Sequence, residues 1–258
     1  MMEQDEYDED NEEEYDEDDE DGPMPPLVKA AMKLRLEEVR ALLLQGADVD
    51  ATGGMMECTA LHVAVDISIM HREDFDVVRL LIQHGANVSA KASGGTTPLH
   101  VAVNHWRDSE AMMRLLLQNG ADVEAKDWEG ATPLHLAAYS AGYDGSPYIG
   151  TYEGPTRALL ENSADANAKT NDGLTPLHLA VARGIEPMVR QLLQNGADVS
   201  ATTTHGETAL HLEAGGGDAQ LVLLLLEKGA VTDALTIAGE TPLFYAAYCP
   251  DDEPLAQA

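Results

Sequence analysis

An all-α solenoid, built from stacked helix–turn–helix units behind an acidic tail, is the fold this sequence predicts. Three observations predict it. One phrase recurs: Thr-(Pro/Ala)-Leu-(His/Phe) begins at Thr59, Thr97, Thr132, Thr175, Thr208 and Thr241. The intervals are 38, 35, 43, 33 and 33 residues, a 33-residue period with insertions of five, two and ten. Each phrase also opens a short helical pattern followed, in all but the last unit, by a second one ending at Gly or, once, Ser163. Finally, the 258 residues include only 2 Phe and 2 Trp but abundant Leu and Ala, which suits thin helical layers rather than one large globular core.

The stretch from Thr175 to Glu207 shows the unit most cleanly. Thr175 suits a helix N-cap, and Pro176 at the first helical position gives up an N–H that would have no partner anyway. Gly184 stops this helix. A second begins near Pro187, carries Val189, Leu192 and Leu193 on one face, and closes at Gly196, where a left-handed residue is needed. Neither helix is long enough to be stable alone in water, so the unit must stack on its copies.

The period, the T-P-L-H-x-A phrase and the order of turn and two helices resemble the ankyrin repeat, from about Pro25 to the C-terminus. The resemblance implies an ankyrin-repeat solenoid with β-turn or hairpin fingertips, and protein binding as the activity. Partners are expected at the fingertips and on the concave face made by the first helices. No cofactor or metal is expected.

Taken in order, residues 1–22 form an acidic, low-complexity tail predicted to be disordered, since like charges repel and apolar surface is lacking. The array spans 23–258, with units near 25–58, 59–96, 97–131, 132–174, 175–207, 208–240 and a partial cap at 241–258. The first unit has Pro26-Leu27-Val28 in place of the phrase, and polar Lys29 where later units use Leu or Val, as a capping unit requires. The second unit gains its extra residues between its helices, around Ile67 to Phe75, and the third near Trp106. The fourth gains Gly142 to Thr151, whose Gly and Pro content predicts an excursion loop. That unit also has Ser163 where others have Gly. The sixth has Glu213 at a position normally small and buried, followed by Gly215-Gly216-Gly217, which places its helix packing in question. Both units are expected to be weak.

The formal net charge is −31, of which residues 1–21 supply fifteen carboxylates and no cation, leaving −16 for the array. Such a surface repels nucleic acid and anionic membranes and favours a basic protein partner. Cys58 and Cys249 are far apart and read as free thiols of a reducing compartment. With no membrane-length apolar run and an N-terminus unlike a signal or transit peptide, the expectation is a cytoplasmic or nuclear monomer.

Five histidines, His62, His100, His135, His178 and His211, occupy the fourth place of the phrase. Units stack at about 10 Å, too far for neighbouring imidazoles to share an ion. The resemblance instead implies that they hydrogen-bond turns between units. Enzyme motifs are absent: no phosphate-binding G-x-x-x-x-G-K-[ST], no H-E-x-x-H and no G-x-S-x-G. Candidate binding residues are therefore surface ones. Met55, Met56, Trp128 and Ile237 fall at fingertips, while Tyr139 and Arg183 end first helices. Trp106, the insertion's Tyr143 and Tyr148, and Tyr152 just after it fall between helices, the tyrosines set among Gly and Ser in a paratope-like mixture. The expected function is that of a non-catalytic regulatory adaptor or transcriptional coregulator. The alternatives are a multi-partner scaffold with a solubilising tail and, remotely, an enzyme without a recognised motif.

Overall fold

Thr175 shows why each unit starts where it does. Its backbone is extended, its hydroxyl accepts from the His178 N–H, and the His178 ring reaches back to the Thr175 N–H. Two of the orphan donors at the helix start are thereby satisfied reciprocally, as in a capping box. The computed structural model describes residues 24–71, 75–105, 109–140 and 153–248, and thirteen helices fall among them.

The first helices of the units are α1 (Pro26–Met32), α3 (Ala60–His71), α5 (Pro98–Asn104), α7 (Pro133–Ser140), α9 (Pro176–Ala182), α11 (Ala209–Gly216) and α13 (Pro242–Tyr248). The second helices are α2 (Leu36–Leu44), α4 (Asp76–Gln83), α6 (Glu110–Gln118), α8 (Glu153–Glu161), α10 (Glu186–Gln194) and α12 (Ala219–Glu227). Neighbouring first helices pack on one another, and each from α1 to α11 also packs on its own second helix, giving two layers with the core between them. The phrase leucines Leu61, Leu99, Leu134, Leu177 and Leu210 lie in that core at 0–3 % exposure. Among the described residues only the tip between the first two units forms a paired hairpin, β1 (Thr52–Gly53) with β2 (Cys58–Thr59) antiparallel. The later tips are tight turns such as Asp127 to Gly130, closed by the Gly130 N–H on the Asp127 carbonyl at 3.1 Å.

The second unit differs from expectation. Its extra residues do not all lie between the helices: α3 continues to His71, twelve residues against seven in α5 and α9. The segment from Ile67 to His71 contains no Gly or Pro, and burial of Ser68 and Ile69 favours continued propagation. The ten-residue insertion of the fourth unit lies outside the described residues.

Both expected weak points have a visible cause. Ser163 ends α8 at φ +69°, in the left-handed region that its equivalents Gly120 and Gly196 occupy freely. Glu213 is only 3 % exposed, and its carboxylate turns to accept from the Asp218 N–H at 2.8 Å. Asp218 in turn caps α12 through the Gln220 N–H. The acid is thus bent into the turn rather than breaking the helix pair. Burial raises the Glu213 pKa from 4.5 to about 7.

Two outcomes are expected. Ser163→Gly should stabilise the fourth unit by about 1 kcal/mol, seen as slower amide exchange in α7 and α8; no change would show that the left-handed Ser carries no strain. Because the folded state holds the Glu213 proton more tightly than the unfolded chain, stability from this residue is lost as pH rises from 4.5 through about 7. Glu213→Gln, which keeps an acceptor for Asp218, should therefore stabilise the protein by about 1–3 kcal/mol at pH 8 and by almost nothing near pH 4.5. Denaturant titrations at the two pH values measure the difference.

Candidate protein-binding surface

The histidines settle first what kind of site the repeat forms. In His100, Nδ1 receives both the Thr97 N–H at 3.2 Å and the Thr97 hydroxyl at 2.8 Å. The proton must then sit on Nε2, which donates to the carbonyl of Ala131 at 3.3 Å, the residue just before the next unit's Thr132. The same bond joins His62 to Thr96, His135 to Leu174, His178 to Glu207 and His211 to Glu240, at 3.1–3.3 Å. Nδ1 is thus committed to the helix cap of its own unit and Nε2 to the bond between units that the resemblance implied. Among the described residues no cluster of His, Cys, Asp or Glu has the makings of a metal site.

A second set of bonds fixes the fingertips. Backbone N–H groups of Ser93, Trp128, Asn171, Thr204 and Ile237 each donate to a carbonyl of the preceding tip, at 2.8–2.9 Å. Close approach demands glycine: a Cβ at Gly130 or Gly206, already at positive φ, would lie 2.9 Å from the next tip's Asn171 or Ile237 nitrogen. Lysines missed by the sequence reading add a parallel row. Lys91 Nζ donates to the Lys126 carbonyl, Lys126 Nζ to that of Lys169, and Lys169 Nζ to that of Thr202, at 2.8–2.9 Å. Their spacings of 35 and 43 residues equal the local repeat intervals, and that signal could have found them.

On this fixed ridge the predicted tip residues face water: Met55, Met56, Trp128 and Ile237 are all exposed, Trp128 by 75 %. They are not gathered into one patch. Two junctions separate Met56 from Trp128 and three separate Trp128 from Ile237, roughly 20 and 30 Å at the usual helix spacing. Along the inner rim, by contrast, the ends of successive first helices meet. The Arg183 guanidinium at the end of α9 lies over the ring of Tyr139 in α7, 5.5 Å from its centroid. His105 bonds Asp66, and the Ser140 hydroxyl donates to Asn104 at 3.4 Å. Tyr139 and Arg183, named separately from the sequence, are therefore one feature with an aromatic face and a cation. Trp106, Tyr143, Tyr148 and Tyr152 lie outside the described residues.

The model of the family "Ankyrin repeats (3 copies)" matches residues 27–127, 67–149 and 127–203. The chain belongs to the ankyrin-repeat family. Ankyrin-repeat domains are protein–protein interaction modules, and no enzymatic family is indicated. Among solved structures, the chain is similar to the ankyrin repeat domain of Bcl-3, described as a unique member of the IkappaB protein family. Identity is 33 % over 88 % of this chain and 95 % of that one, with a TM-score of 0.72. The human ASB11 ankyrin repeat domain shares the fold at 24 % identity over 87 % of this chain and 92 % of that one, with a TM-score of 0.68. No curated protein matches the chain. No described helix is long and apolar enough to cross a membrane.

The ankyrin junctions carry a pH dependence. Burial holds the pKa of His62, His100, His135 and His178 below the ordinary 6.5. The unfolded chain then takes up protons first, so stability contributed by the neutral rings is lost as pH falls below about 6.5. Glu213 acts in the opposite sense but is one group against four. Thermal midpoints should therefore fall between pH 7 and pH 5, and a rising midpoint would show that the junction histidines are not held neutral.

Proposed function

We propose that the chain works stoichiometrically, as a monomeric, non-catalytic regulatory adaptor that holds a basic protein partner along its inner rim. The observation that carries this reading is the Tyr139–Arg183 pair, set on a rim fixed by stacking bonds in an array of formal charge −16. Tyr and Arg are the side chains that most often anchor interfaces. The acidic tail, residues 1–21, adds fifteen carboxylates that steer a basic surface toward the rim. Tyr143 and Tyr148, in the insertion that follows Tyr139, extend the same contact in this reading. Likeness to an IkappaB-family member supports a regulatory role, and a transcriptional coregulator of the cytoplasm or nucleus is the form of that role proposed here.

A second reading, a scaffold with several partners, draws on the wide separation of Met56, Trp128 and Ile237 along the tips. Capture of partners on the full chain, followed by kinetics on variants, separates the two. Removing residues 1–21 should lower the association rate and flatten its salt dependence, leaving dissociation almost unchanged. Tyr139→Ala with Arg183→Ala should cost about 2 kcal/mol in affinity, read as faster dissociation, with the thermal midpoint nearly unmoved. Unchanged affinity in that double variant would overturn the rim reading, and loss of separate partners on Trp128→Ala and Ile237→Ala would favour the scaffold.

A further inference from the structure

The last unit breaks the pattern that the others keep. Leu243 stands at the place of the five phrase leucines, which are 0–3 % exposed, yet it is 76 % exposed. The reason is local. In every preceding unit both its own second helix and the next unit's first helix lie against the first, and among the described residues no helix follows α13. Phe244 replaces the phrase histidine, so the chain of Nε2–H donors ends at His211 and an exposed apolar ring stands in its place. Leu235 takes the position held by the bonding lysines two and more units earlier, and Leu235, Leu226 and Ile237 are all exposed. This end of the array is apolar, whereas a capping unit presents a polar outer face.

We propose that this end is a docking seat for a partner's amphipathic helix, which lies against α13 as α12 lies against α11. The occupant's chemistry follows from two observations. The seat repeats a register filled six times within the chain by a second helix, typified by α10 with buried Met188, Val189 and Leu192 on one face. An apolar stripe of that spacing fits it. The surrounding charges are negative: between residues 219 and 248 the charged residues are Glu227, Asp233 and Glu240 against Lys228, and Asp251, Asp252 and Glu253 follow in the sequence. A second copy of this chain would bring like charge to like, whereas a stripe flanked by Lys or Arg is complementary. The seat lies at the end of the array and is independent of the inner rim.

The test uses the full chain and a synthetic peptide that keeps the α10 stripe and carries lysines on both flanks. Binding is measured by titration, with amide shifts locating it. The expected result is saturable binding with shifts confined to residues 221–248. Affinity should fall at least tenfold when the flanks are Glu, when the stripe is scrambled at constant charge, or with Leu243→Asp. The Tyr139→Ala, Arg183→Ala double variant should bind the peptide unchanged, so failure of the rim reading and failure of this one remain distinct. Leu243 already faces water, so the Asp variant should keep its helix content. Were it to lose helix, Leu226→Gln serves as the second variant and must show the same tenfold loss. Equal binding of the scrambled peptide would reduce the seat to charge alone and overturn the proposal. A dimer in sedimentation that Leu243→Asp dissociates would assign the seat to a second copy. A tenfold gain on deleting residues 249–258 would assign it to the chain's own C-terminal segment.

Discussion

Everything in this array depends on a neutral imidazole that spans two units. Within its own unit the ring accepts from the threonine N–H and hydroxyl, which fixes its rotamer and its tautomer together. Only then is Nε2–H aimed at the carbonyl just before the next threonine. One side chain thus caps a helix and sets the distance to the following helix. Because the receiving carbonyl sits directly before the next capping threonine, each junction positions the residues that build the one after it. Stacked units couple chiefly to their neighbours, so the geometry propagates without a long-range core.

Burial makes this arrangement possible and also makes it conditional. Inside the stack the hydrogen bonds work in a low dielectric, where a satisfied polar group is favourable and a stray charge is not. The same environment raises the pKa of Glu213, which occupies a place meant for a small side chain. The sixth unit tolerates it because the carboxylate finds the Asp218 N–H in the turn, beyond the end of its own helix. An apolar residue would be simpler there, and nothing in the structure explains why an acid is present.

The fold was legible because its determinants are local and repeated. Thr175, Pro176, His178 and Gly196 each announce a backbone requirement, and their spacing supplies the rest. Ser163 announced its left-handed backbone in the same way. The extension of α3 was not legible, since five extra residues say nothing about whether they continue a helix or leave it. The Tyr139–Arg183 pair spans 44 positions, but both sit seven or eight residues after a phrase threonine, so repeat arithmetic could have joined them. Leu243 is the instructive case. Its identity matches the buried leucines, but burial belongs to the neighbour that covers a side chain, and the phrase cannot say whether a second helix comes next.

In sequence, the extra residues of the second, third and fourth units all come after the phrase and before the end of the second helix, those of the second unit partly as an extension of α3, while tip-to-tip bonds run on through the same units from Ser93 to Ile237. The two edges of the molecule therefore obey different rules. One is metrical: from the second unit on, the Gly or Ser that closes the second helix always stands 12 residues before the next phrase threonine. The other is free in length, since the second, third and fourth units each carry a different number of extra residues there. New recognition surface can be written at that edge by simple lengthening, with the ruler along the other edge left unchanged.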